Sequence, residues 1–180
     1  MLRTSLLFFA VAILFGCATS APDVPTSAVR DLDVEKYQGT WFEIAKYPQP
    51  FQRGCTCTTA TYEPMEDGDI RVVNRCREDS PSGDTRMISG RATRPEPGAE
   101  PGKLRVSFFG PFSAPYWVID RGAAEAGRYP WAVVSDDDGS TLWILSRTPT
   151  LDEDVYPPLL GALEQQGFAL ARLDETVQQG

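Results

Sequence analysis

The sequence predicts an all-β protein, an eight-stranded antiparallel up-and-down barrel with one C-terminal α-helix packed outside. Three observations carry the prediction. Eight short segments rich in β-branched and aromatic residues follow a period-2 pattern. Neighbouring segments are separated by clusters of Gly, Pro, Asp, Asn or Ser, and Asp67-Gly68 and Asp138-Gly139 are tight-turn dipeptides, which favours hairpins over parallel crossovers. A single helical pattern follows the last strand.

The chain begins with a segment that reads as an export signal rather than as part of the fold. Arg3 supplies a positive start, and Leu6 to Phe15 is an apolar run too short to span about 30 Å of hydrocarbon. Leu14-Phe15-Gly16-Cys17 resembles the lipobox of bacterial lipoproteins, which implies cleavage before Cys17 and acylation of that cysteine. Alanine rather than aspartate at position 18 fits an outer-membrane destination under the same resemblance, with the folded part facing the periplasm. Several acyl chains hold a protein stably at a membrane where one does not. The expected organisation is therefore a signal peptide over residues 1–16, the lipidated cysteine and a flexible tether rich in Ala, Ser, Thr and Pro over 17–31, and the folded domain over 32–180.

The strand segments of that domain are residues 40–47, 56–63, 70–76, 86–93, 103–109, 116–120, 131–135 and 142–147. Residues 153–166 form the helix, with Val155, Leu159, Leu160 and Leu163 at helical spacing, Asp152 as N-cap, Pro157 and Pro158 in the first turns and Gly167 as the stop. Closure of the sheet removes exposed edges, and a barrel of this size can hold one small ligand.

Composition removes several function classes. There is no histidine, so no Ser-His-Asp or Cys-His catalysis and no histidine metal site exists. Seventeen Lys+Arg stand against 25 Asp+Glu, a net charge of −8, which is wrong for nucleic-acid binding. If one of the four cysteines carries lipid, three remain for an oxidising compartment, giving one disulfide and one free thiol. The hairpin through Asp67-Gly68 brings both Cys55 and Cys57 near Cys76; Cys57 with Cys76 is the expected pair, and Cys55 is the competing partner.

The segments themselves resemble a known family. Gly39-Thr40-Trp41-Phe42-Glu43-Ile44-Ala45-Lys46-Tyr47-Pro48 resembles the first signature of the lipocalins, and Trp143-Ile144-Leu145-Ser146-Arg147-Thr148-Pro149 their third. With TATYE and KLRVSFFGPF between them, residues 34–173 are similar to the bacterial outer-membrane lipocalins and their apolipoprotein D and plant temperature-induced relatives. The middle signature, T-D-Y, is absent, and residues 120–128 look lengthened, which bears on the closed-end loop and not on the fold.

The resemblance implies that Arg147 lies across the face of Trp41 at the closed end, a cation–π plug contributing about 0.5–2 kcal/mol. Inward parity anchored on Trp41 adds Glu43 and Ala45 as ligand-facing positions. Analogy with the family adds Ala60, Tyr62, Val72, Asn74, Val106 and Phe108, and from the later strands Tyr116, Val118, Trp143 and Leu145. Such a lining suits a small hydrophobic ligand, a fatty acid or lysophospholipid, with no cofactor and no metal. Glu43 is the odd member; inside a barrel it is expected to be neutral, hydrogen-bonded or paired with a ligand cation, and a structural role is favoured over ligand contact. The alternatives are a haem or other tetrapyrrole carrier, a lipid- or carotenoid-directed enzyme using Cys55, Cys57 or Glu43, and an envelope interaction protein with a filled barrel. The non-enzymatic carrier is the expectation, because no base stands beside a thiol in the sequence. A homodimer is compatible with it.

Overall fold

In the computed structural model, which describes Val24 and residues 26–96 and 98–178, all eight expected segments are strands. They are β1 (Gly39–Lys46), β2 (Cys55–Pro64), β3 (Ile70–Glu78), β4 (Thr85–Thr93), β5 (Lys103–Phe109), β6 (Phe112–Arg121), β7 (Trp131–Ser135) and β8 (Leu142–Ser146). Each pairs antiparallel with the next, and β1 pairs with both β2 and β8, closing the barrel. The proposed signal and Cys17 lie outside the described residues. β6 starts earlier than expected because Pro115, read as punctuation, sits within the strand opposite Arg105.

Two elements have no forerunner in the sequence pattern. The short helix α1 (Val34–Tyr37) crosses the closed end, capped by the Asp33 carboxylate, which accepts the backbone N–H groups of Glu35 and Lys36. A two-residue strand β9 (Asp174–Glu175) pairs with the end of β1. Residues read as the end of a tether lie against the barrel instead: Val24 and Ala28 are buried, and the Val29 N–H donates to the Val118 carbonyl at 2.8 Å.

The core has two parts. Inside the barrel, Trp41, Tyr62, Val72, Leu104, Val118 and Val134 pack with Tyr37 from α1. Outside it, Leu159 and Leu163 of the helix α2 (Tyr156–Gln165) cover Ile44, Val133, Leu142 and Ile144. β7 and β8 are thus buried on both faces, which explains their nearly continuous apolar runs. The helix starts three residues later than expected, and Asp152 acts through its backbone: its carbonyl accepts the N–H groups of Val155 and Tyr156. Pro157 and Pro158 lack N–H groups that the first turn of a helix leaves unbonded, so they fit directly behind a helical start at Tyr156.

The disulfide joins Cys76 to Cys55, not to Cys57, with the Cα atoms 5.4 Å apart. The reason is a bulge in β2. Thr56 faces Arg77 and Thr59 faces Arg75, so two residues, Cys57 and Thr58, stand where Cys76 offers one place. Cys57 takes a φ of 50°, turns out of the ladder and donates its N–H to the Val177 carbonyl at 2.7 Å, leaving its thiol free.

Candidate functional site

The closed end is sealed from the sequence outward. Arg147 at the end of β8 lies 3.6 Å over the Trp41 ring. Its guanidinium donates to the Thr40 carbonyl at 2.8 Å and to the carbonyls of Lys36, Tyr37 and Gln38 at 2.9–3.1 Å. The last carbonyls of a helix have no intrahelical partner; here those of Lys36 and Tyr37, and of Gln38 just past α1, are satisfied by one side chain. Burial and the neighbouring Arg128 draw the Arg147 pKa down to about 10, so it stays cationic at neutral pH. The lengthened segment before β7 forms a small turn through Ala126 and Gly127, both at positive φ, and Tyr129 behind it accepts the Asp33 N–H at 2.9 Å. The missing middle signature is thereby replaced by a loop that braces α1.

Above this plug the barrel is hollow. A cavity of about 250 Å³ opens toward the other end. Ten of the residues expected to face a ligand line it: Glu43, Ala60, Tyr62, Val72 and Asn74 from β1–β3, and Val106, Phe108, Tyr116, Trp143 and Leu145 from β5, β6 and β8. Two do not. Ala45 is buried outside, under α2, because the pairing of β1 with β8 slips between Glu43 and Ala45 and reverses the alternation there. Val118 points inward but is fully buried in the packed core, separate from the cavity wall.

The same slip brings Glu43 and Lys46 to one side of β1, where their charges lie 3.2 Å apart with both side chains almost completely buried. The Glu43 carboxylate also accepts from Thr176 Oγ1 and Gln52 Nε2, each at 2.6 Å, while Gln52 Oε1 accepts the Trp143 indole N–H at 3.1 Å. Its cation partner is thus a residue of its own strand. Gln178 donates to the Glu43 and Thr58 carbonyls, so the chain's end stitches the two bulged strands together.

At the floor, the buried Tyr37 and Tyr62 and the half-buried Tyr116 share a hydroxyl chain: Tyr116 is 2.8 Å from Tyr37 and 2.6 Å from Tyr62. Burial raises all three, Tyr62 to about 12 and the other two well above the ordinary 10.0. The folded state holds these protons more tightly than the unfolded chain, so the stability they contribute is complete below pH 10 and is lost as pH rises toward 12. Arg147, with its lowered value, opposes this between 10 and 12.5 but is one group against three. The expected result is a flat unfolding midpoint to about pH 9, then a fall that steepens above pH 10 toward roughly 1.4 kcal/mol per pH unit for each tyrosine. Denaturant midpoints between pH 8 and 11.5, for the parent and Tyr116→Phe, check it.

Several lining residues escaped the strand pattern because they sit in loops or bulges: Gln49, Phe51 and Gln52 before β2, Thr58 in its bulge, and Asp136 and Thr141 between β7 and β8. Loop residues follow no period, and only their proximity to the open ends of strands could have marked them. Phe51, Met87, Phe109 and Phe112 form an exposed apolar collar near that end. Among the described residues no cluster of metal-ligating side chains occurs, and no helix is long and apolar enough to cross a membrane.

Comparison with known proteins agrees with this geometry. Residues 32–178 match the family model described as a lipocalin-like domain. The chain is 33% identical over 176 residues to the outer membrane lipoprotein Blc of Escherichia coli K12, covering 95% of this chain and 93% of that protein. It is 34% identical over 158 residues to temperature-induced lipocalin-1 of Arabidopsis thaliana, covering 83% and 81% of the two chains. Among solved structures, lobster apocrustacyanin A1 superposes with a TM-score of 0.62 at 18% identity, over 90% of this chain and 94% of that one. With a family model spanning the whole barrel and relatives matched nearly end to end, the chain belongs to the lipocalin family.

Proposed function

We propose that this lipocalin is a lipid-anchored carrier that holds a small hydrophobic ligand, of fatty acid or lysophospholipid type, in its lumen. The observation that carries the reading is the unfilled cavity, walled by Ala60, Val72, Val106, Phe108 and Leu145 and open at one end. Such a site rewards apolar area removed from water and offers few fixed charges to a polar solute. The reading treats residues 1–16 as the signal, Cys17 as the acylated residue, and the outer membrane as the location, with the barrel in the periplasm. Relatives named as outer membrane lipoproteins support that placement.

Binding is favoured over catalysis. Cys55 is held in a disulfide, and Glu43 is engaged by Lys46, Gln52 and Thr176, so two of the three candidate catalytic groups are occupied. A tetrapyrrole would look to tyrosine or cysteine for axial ligation; the lumenal tyrosine hydroxyls are bonded to one another, Cys55 is in a disulfide, and Cys57 is turned out of the β2 ladder and does not line the cavity. The test is native mass spectrometry of the delipidated chain offered a mixed envelope-lipid extract, with a visible spectrum of the protein as purified. Single-lipid adducts and no visible band are the expected outcome; a visible chromophore would support the tetrapyrrole reading instead. For the anchor, Cys17→Ser is expected to abolish stable sedimentation with outer membrane while leaving the circular dichroism of the barrel unchanged. Continued outer-membrane fractionation of the signal-cleaved variant would refute it.

A further inference from the structure

The chain enters the fold at the mouth of the barrel. The Val24 N–H donates to the Asp138 carbonyl and Thr26 Oγ1 to the Asp136 carbonyl, both on the turn between β7 and β8 at the open end. From there the segment runs toward the closed end, where the Val29 N–H reaches the Val118 carbonyl and α1 follows. Whatever precedes Val24 therefore leaves from the mouth. Only residues 18–23 separate Val24 from Cys17, and a stretch of that length spans at most about 25 Å when fully extended. An anchor at Cys17 thus keeps the mouth close to the bilayer that holds it.

The same end carries the exposed apolar side chains. Among the described residues, the large hydrophobics Phe51, Met87, Phe109 and Phe112 are each more than half exposed at the mouth, and none of that kind is at the closed end. Phe109 and Phe112 are the most exposed, 68% and 79%, and pair across the Gly110-Pro111 turn that joins β5 to β6. Residues 106–119, the tip included, contain no charged side chain. A contiguous apolar patch of this kind in water forfeits burial energy and marks a contact surface. The rest of the rim carries both signs, Arg53 and Arg86 against Glu78, Asp79, Asp84 and Asp136, so a contact made here rests on apolar area and not on net charge.

From this we propose that the Phe109-Gly110-Pro111-Phe112 tip inserts into the headgroup boundary of the phospholipid leaflet that holds the acylated Cys17, so that the barrel stands mouth-down on its membrane. The proposal rests on the anchor reading above and adds to it an orientation and a second point of contact. A second copy of the chain could also cover two aromatic rings, but the tether leaves from the same end as the tip and already holds a leaflet against it. Two rings alone give a reversible contact, since even one acyl chain is marginal by itself. The tip orients the barrel, and the anchor retains it.

The test uses the acylated chain, reconstituted into phosphatidylethanolamine–phosphatidylglycerol vesicles doped with phosphatidylcholine brominated near the top of its acyl chains, a contact quencher of tryptophan. Phe112→Trp places a reporter at the tip, and Ala124→Trp places one in the exposed closed-end loop between β6 and β7; each is read as the difference from the parent. The tip reporter is expected to lose about half of its added emission or more and the closed-end reporter none, because a side chain seated at the acyl boundary lies about 5–10 Å deep. Phe109→Asp beside the tip reporter should cut that quenching severalfold while flotation with the vesicles and circular dichroism stay unchanged. An unquenched tip reporter on a chain that floats with the vesicles overturns the orientation and leaves the anchor reading intact; if crosslinking then joins two tips, a second copy is the occupant. A quenched closed-end reporter overturns the orientation as well. A chain that does not float with the vesicles removes the anchor reading and the inference together.

Discussion

Trp41→Ala is expected to lower stability by about 3–5 kcal/mol, the range for removing a large buried aromatic without collapse of the space left behind. Trp41 is fully buried, stacks against Tyr37 at a 4.9 Å centroid separation and supports the Arg147 guanidinium on its face. Its indole N–H donates to the Tyr37 carbonyl at 2.8 Å, so truncation also removes one of the two bonds that carbonyl accepts, leaving it to Arg147. Arg147→Ala should be costly for a related reason, since the carbonyls of Lys36, Tyr37 and Gln38 lose a common donor. Because the two side chains share these partners, the double variant should lose less than the sum of the single losses. Urea midpoints at constant slope measure all three. A loss under about 0.5 kcal/mol for Trp41→Ala is what an exposed tryptophan gives, and it would remove the plug from the account.

Ala60→Trp is expected to separate binding from folding. Ala60 lies opposite Trp41 on β1 and Asn74 on β3, and its small side chain faces the cavity. An indole added there enters space that a ligand chain would occupy instead of an already packed region, so the overpacking cost of 1–3 kcal/mol seen in tight cores should shrink to about 1 kcal/mol or less. Affinity for a fatty acid should fall roughly a hundredfold, equivalent to about 2.7 kcal/mol. Fluorescence titration and the urea midpoint, measured on the same preparation, give the two numbers. An unchanged affinity would place the ligand elsewhere, for instance on the exposed collar of Phe51, Phe109 and Phe112.

What could be read from the chain alone follows from how each feature is encoded. The barrel was legible because alternation is local: the residues of β2 and β3 that line the cavity, Ala60, Tyr62, Val72 and Asn74, are two apart along their strands. The plug was legible because Trp41 and Arg147 sit in motifs that resemble those of a family. Alternation fails where a ladder slips, and no pattern marks the slip. Ala45 moved to the outer face by one bulge, and Cys57 left its expected partner through another. The ion pair of Glu43 with Lys46 was hidden for the same reason, since three residues apart on a regular strand means opposite faces. The chain's end was illegible in a different way. Residues 174–178 are mostly polar and short, and they are ordered by backbone groups that the bulged strands leave unpaired: Thr176 N–H reaches the Ile44 carbonyl, and the Val177 carbonyl receives the Cys57 N–H.

Affinity as a function of chain length tests the central claim, that the lumen is a hydrocarbon site, most directly. Saturated fatty acids from eight to sixteen carbons would be titrated into the delipidated chain, with Trp143 at the cavity wall as reporter. Each added CH₂ should contribute up to about 0.8 kcal/mol, less the cost of ordering it, so affinity should climb by as much as roughly fourfold per carbon until the cavity is full and then level off. Affinity that is flat across the whole series would contradict a lumenal chain and leave the barrel as a scaffold whose cavity does not bind lipid.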